Sequence, residues 1–170
     1  DGAGNDPAGF TVSGAAQVGL ASVYVGDGAL LVRGSNIDLN GAEYQIVGGA
    51  GGNDPMSFEG AVDLHASVTV TGAGNDGLGD EVSFSSTIDA DLAANLRSLD
   101  VNAGAGNVSV GAAIGSAEEL TGGVTLNGGQ IDTLDITSSA ASNEDPGGAV
   151  SITGGGAVTI DGAITTRGGP

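Results

Sequence analysis

The chain has no cysteine, no tryptophan and no lysine. Without cysteine, neither disulfides nor thiolate metal sites are open to it. Aromatic side chains are scarce, at three Phe and two Tyr in 170 residues, whereas an ordinary globular core takes much of its buried area from them. Positive charge is confined to Arg33, Arg97 and Arg167, against 21 Asp and Glu, for a net charge of −18. Such a surface repels phosphate backbones and anionic headgroups, so no nucleic-acid partner is expected, and divalent cations or high salt are favoured surroundings. No apolar run approaches the roughly 20 residues of a membrane span, so no membrane insertion is expected. Nor does Asp1 open a basic-then-apolar signal segment.

What the chain does have is glycine, 34 residues of it, and an apolar set of 39% made mostly of Ala, Val, Leu and Ile. Glycine without a three-residue period is not collagen, and regular Val and Ile alternation is not a flexible linker. Small β-branched residues suit thin, repeated layers, so the composition points to a folded solenoid.

Repetition supports this reading. The phrase GNDPxxF occurs at residues 4–10 and again at 52–58, and GAGN opens and closes the stretch around 72–107. Phe58, Phe84, Val108, Ile131 and Val150 follow one another at intervals of 19 to 26 residues, and Phe10 precedes Phe58 by 48. About seven coils of about 24 residues account for the chain, taken as a single segment over 1–170 that begins and ends inside its own repeat and so belongs to something longer. Each coil is expected to hold two short strands with alternate residues buried, such as Val82-Ser83-Phe84-Ser85 and Leu99-Asp100-Val101-Asn102. Glycine clusters such as 153–156 are expected to turn the corners through positive φ. Two connectors, 91–96 and 116–120, are candidates for one helical turn capped by Asp91 or Ser116, and 138–148 reads as a bulging loop.

The expected fold is therefore all-β, a right-handed parallel β-helix. An antiparallel β-sandwich is the alternative, because Asp27-Gly28, Asn40-Gly41, Asn127-Gly128 and Asp161-Gly162 are hairpin-type dipeptides. The recurring phrases favour the helix, since a sandwich gives its strands no reason to repeat one another.

The phrases VSFSSTIDADLAANLRSLDVNAGAGNVSVGAAIGSAEELTGGVTL and GGAVSITGGGAVTIDGAITTRGG resemble the repeats of filamentous-haemagglutinin and autotransporter-type bacterial surface adhesins. That resemblance implies a β-helical rod, secreted or held at the bacterial cell surface, with a structural and adhesive role and no catalytic residues to carry over. Its partners would be like chains stacked end to end, or glycans and proteins on host and neighbouring cells. A narrower resemblance is to the calcium-binding nonapeptide of RTX proteins: residues 71–79 (TGAGNDGLG) match it except at the first position, and residues 1–9 keep the GxGND part. RTX repeats recur every nine residues so that neighbouring turns share each ion, whereas here the phrases lie 22 or 48 apart.

The metal candidates are therefore Asp6, Asp54, Asn75 and Asp76, for calcium. Ca²⁺ needs six to eight oxygen ligands, and one such phrase offers two or three. If Asp54 and Asp76 fell in adjacent corners about 4.8 Å apart, the pair would either titrate upward or hold a cation. Against this stands ordinary turn capping by Asn and Asp, and both readings stay open. An enzyme is not expected: β-helical polysaccharide-cleaving enzymes need acids grouped with Lys, Arg or His, and here His65 reads as a surface residue, with Asp89 and Asp91, or Asp132 and Asp135, as solvated acids. Phe10, Phe58 and Phe84 are expected to form one buried column. The second functional reading is a self-polymerising filament subunit that assembles by β-strand addition.

Overall fold

A computed structural model of the chain describes residues 9–26, 28–46, 54–72, 79–139 and 147–167. Asp6, Asn75 and Asp76 lie outside the described residues, as do the glycine cluster at 47–52 and most of the loop at 138–148. The protein is a parallel β-solenoid whose only helical element among the described residues is a single 3₁₀ turn, Ala93–Asn95.

The first coil holds β1 (Phe10–Ser13), β2 (Gln17–Leu20) and β3 (Val23–Val25), and the second holds β4 (Leu30–Leu39) and β5 (Glu43–Ile46). The third is β6 (Met56–Leu64) with β7 (Val68–Thr71). The fourth is β8 (Val82–Phe84), β9 (Ile88–Ala90) and β10 (Ser98–Asn102), and the fifth is β11 (Val108–Val110) with β12 (Gly123–Gly128). Then come β13 (Ile131–Thr133), β14 (Ile136–Ser139) and β15 (Val150–Gly154), and at the end β16 (Val158–Ile160) and β17 (Ile164–Arg167).

Each coil has three sides rather than the expected two strands. On the first side β1, β4, β6, β8, β11, β13 and β16 pair in that order. On the third, β3, β5, β7, β10, β12 and β15 do. The second side stacks Val18, Ile37, Val62, Ile88, Ile114, Ile136 and Ile164, with Ile114 making isolated bridges to both neighbours. This side escapes a search for alternation because β4 and β6 run across the first corner without a break, while elsewhere it shrinks to four residues, three or one. The coil count differs slightly from seven equal coils: five carry a strand on all three sides, the fifth coil has only Ile114 on its second, and the last has two sides described.

Among the described residues these strands all pair in parallel, which overturns the antiparallel alternative. The Asn-Gly and Asp-Gly dipeptides serve the stack instead of hairpins: Asn40-Gly41 turns the corner into β5, and Asn127-Gly128 lies within β12 itself.

Inward residues form continuous columns. Leu30, Met56, Val82, Val108 and Ile131 are stacked and at most 1% exposed. Beside them Val32, Phe58, Phe84 and Val110 make a second column, in which the Phe58 and Phe84 rings stack at 4.9 Å and 7°. Tyr44 meets Phe58 edge-on at 6.3 Å. Its hydroxyl donates to the Leu20 carbonyl at 2.9 Å and accepts from the Gly41 amide at 3.1 Å, so a buried phenol is satisfied at both ends. Burial pushes its pKa up. Phe10 does not join the aromatic column. Register sets it on Leu30, two residues out of phase, at the open end of the stack, where it is 45% exposed.

The corner between the first and second sides is a β-bulge. Arg33 pairs with Glu59 and Asn36 with Ala61, so Gly34 and Ser35 face the single residue Gly60. Gly60 adopts φ 148°, and a Cβ there would lie 1.9 Å from the Gly34 carbonyl oxygen, so no other residue fits. Positive φ is not general at the corners: Gly154, Gly155 and Gly156 have none, and Gly155 and Gly156 donate their amides to the Gly128 and Gly129 carbonyls in the coil below.

Candidate functional site

Three outward residues of the second side share one register position. Asp38, Asp63 and Asp89 follow one another in successive coils, each set between two inward apolar residues, as in Ile37-Asp38-Leu39. Strand spacing separates neighbours by about 4.8 Å. An open groove of about 410 Å³ runs over this ladder and is lined further by His65, Asp91 and Glu118.

The wall of the groove comes from the connectors between the second and third sides. In the first three coils these are two or three residues long, but they lengthen to seven at 91–97 and eight at 115–122. Asp89 carries the second of them: its Oδ1 accepts from the Ala117 amide at 2.8 Å and lies 3.4 Å from both the Glu118 amide and the Ser116 hydroxyl. Glu118 in turn accepts from the Ala93 amide at 3.1 Å, tying one connector to the other. Asp91 takes both arms of Arg97, Nε at 2.8 Å and Nη2 at 3.0 Å, and the Asn95 amide at 3.0 Å. The Arg97 guanidinium holds the Asp91 carboxyl well below the usual carboxylate range, against the opposing effect of burial.

The floor is knitted by amides. Asn36 donates to Asp38 and to Asp63, both at 2.9 Å, and the Gln17 amide also bonds Asp38. His65 stands between two acids, 3.9 Å from Asp38 and 3.9 Å from Asp91.

Several expectations change here. Asp89 is buried at 7% exposed, and the Asp91 side chain is 16% exposed, so neither is a solvated acid; Asp132 and Asp135 are exposed as expected. Asp91 does not cap the helical turn, whose N-cap is Leu92 with no side-chain bond. Residues 116–120 form no helical turn, because Ser116 and the amides after it are taken by Asp89. Sequence reasoning missed the ladder, although its signal was present: an acid between two apolar residues at 38, 63 and 89, intervals of one coil.

Of the calcium candidates, Asp54 is described. Its Oδ2 accepts from the Gly28 amide at 3.1 Å, and its own amide donates to Asp80 Oδ1 at 2.8 Å. Register from Met56 and Val82 sets Asp80, and not Asp76, opposite Asp54. This is a ladder of turn caps passed from coil to coil. Among the described residues no group of three or more His, Asp or Glu side chains is placed to hold a metal ion, and no helix is long and apolar enough to cross a membrane. Comparison of the chain with protein-family models, curated proteins and solved structures finds no match.

Proposed function

We propose that the chain is a non-catalytic structural and adhesive segment of a secreted or cell-surface bacterial protein. The observation that carries this reading is the use made of the groove acids. Asp89, Glu118 and Asp91 are engaged as acceptors for connector amides, side-chain amides and a guanidinium, so they brace a projecting surface instead of standing ready to move protons. Stacked coils supply a stiff spacer, and lengthened connectors on one side give it a face by which to be recognised; binding residues concentrate on such loops, held by a rigid scaffold. Seven rungs on the first side make this segment roughly 30 Å long at about 4.8 Å each.

The test is adhesion itself. Beads coated with the chain are expected to attach to cell monolayers above albumin-coated beads, and soluble chain to compete. Attachment equal to the albumin control would end the adhesive reading.

A second reading is a self-polymerising filament subunit that assembles with like chains by β-strand addition, for which the parallel ladders, each coil pairing with the next along one axis, supply the geometry. Light scattering across a concentration series separates the readings, since adhesion requires no growth in mass and filament formation does. Calcium, with Asp6, Asp54, Asn75 and Asp76 as ligands, is a separate proposal that neither reading requires.

A further inference from the structure

Leu92 and Leu96 are 58% and 51% exposed. Unlike Phe10, Val158 and Ile164 they are not at an open end, so no missing coil accounts for them. Both lie on the 91–97 connector, whose first residue lines the acidic groove. The connector is held out stiffly. Arg97 and Asn95 clamp Asp91, the Thr121 hydroxyl donates to the Ala93 carbonyl at 3.0 Å, and the Gly122 amide donates to the Arg97 carbonyl. Leu96 itself sits at φ 48°, a left-handed conformation that disfavours leucine.

We propose that the groove and these two leucines form a docking surface for a basic, apolar-bearing polypeptide segment of another protein. The inference rests on the adhesive reading and names its partner. Charge selects the occupant: five carboxylates, of Asp38, Asp63, Asp89, Asp91 and Glu118, line the groove, against Arg97 at its edge. A second copy of this chain cannot supply the complement, since it has no lysine and three arginines, two of them already paired with Glu59 and Asp91. Asp38 to Asp89 spans two coil steps, about 9.6 Å, within reach of the long side chains of two lysines on one segment. Apolar residues of that segment lying over the 91–97 connector would then meet Leu92 and Leu96.

Labelled peptides of sequence KLKLK, KSKSK and ELELE, titrated by fluorescence anisotropy in 150 mM NaCl, test this. KLKLK is expected to bind at least tenfold more tightly than KSKSK, and ELELE not at all. Asp63→Asn should weaken KLKLK and flatten its salt dependence, while Asp100→Asn on the third side should change neither. The double variant Leu92→Ser, Leu96→Gly should lose tenfold or more with an unchanged or higher melting temperature, because glycine relieves the left-handed position. Equal binding of KLKLK and KSKSK, or equal effects of Asp63→Asn and Asp100→Asn, would reduce the attraction to the diffuse field of the −18 charge and overturn the proposal. So would no binding in 150 mM NaCl. Beads that adhere while the peptides fail would reject the groove and leave the adhesive reading standing; peptides that bind while beads fail would do the reverse.

Discussion

Phe58 and Phe84 are the largest side chains of their column, fully buried and stacked ring on ring. Replacing either with Ala leaves a cavity that neighbouring coils cannot fill, because their positions are fixed by parallel ladders above and below. The expected cost is about 3 to 5 kcal/mol, measured by urea denaturation. Phe10→Ala should cost under about 1 kcal/mol, since Phe10 is already 45% exposed; a cost equal to that at Phe58 would return Phe10 to the column. The Asp91–Arg97 pair makes a different prediction. Arg97→Gln strands a mostly buried carboxylate and should cost about 1 to 3 kcal/mol at neutral pH. Because Asp91 titrates lower when folded than its unfolded value of 3.8, the pair stabilises fully above that value, and its contribution is lost as pH falls further. The stability gap between parent and variant should stay level from pH 7 to about 4 and then shrink. A gap that closes between pH 7 and 5 would assign the effect to another group.

At the scale of elements, the bulge at Gly34, Ser35 and Gly60 is what lets β4 and β6 turn a corner without ending. Gly60→Ala meets the Gly34 carbonyl at 1.9 Å with φ at 148°. Backbone strain of this kind costs about 1 to 3 kcal/mol before the clash is counted. Denaturation midpoints should fall accordingly, and a loss below about 0.5 kcal/mol would mean the corner has another way to close. The opposite corner depends on Asp80, 3% exposed, which accepts the Asp54 amide. Asp80→Ala removes that acceptor and should cost about 1 to 3 kcal/mol, with faster hydrogen exchange at Asp54 as its local signature.

For the whole molecule, a charge of −18 along a short stack makes ionic strength a stabiliser. Salt shortens the screening length to about 8 Å near physiological strength, so melting temperature should rise from 10 mM to 500 mM NaCl. Calcium is separated from this effect by melting in 0.5 M NaCl with EDTA or millimolar CaCl₂, repeated on Asp76→Asn. A calcium-dependent rise that the substitution abolishes would establish a site at Gly74-Asn75-Asp76. Superimposable curves would leave Asp54 and its counterparts as turn caps.

By itself the sequence determined the all-β class and favoured the parallel stack, because burying Val and Ile every second residue and repeating the pattern every coil suits a one-dimensional core; the pairing itself excluded the antiparallel sandwich. It also placed Phe58 on Phe84, whose interval of 26 is one coil. Tertiary structure alone decided the phase of each ladder. Phe10 looked equivalent to Phe58 because a shared phrase precedes both, yet the first step of the stack is 20 residues, Phe10 to Leu30, and the next is 26, Leu30 to Met56. The same uneven steps put Asp80 beside Asp54 and gathered Asp38, Asp63 and Asp89 beneath connectors that contribute Asp91 and Glu118. Local alternation tells each residue which way to face, but the lengths of the corners fix which residue it faces. That registry is an energy balance over the whole stack, settled by columns of buried side chains that no single coil contains.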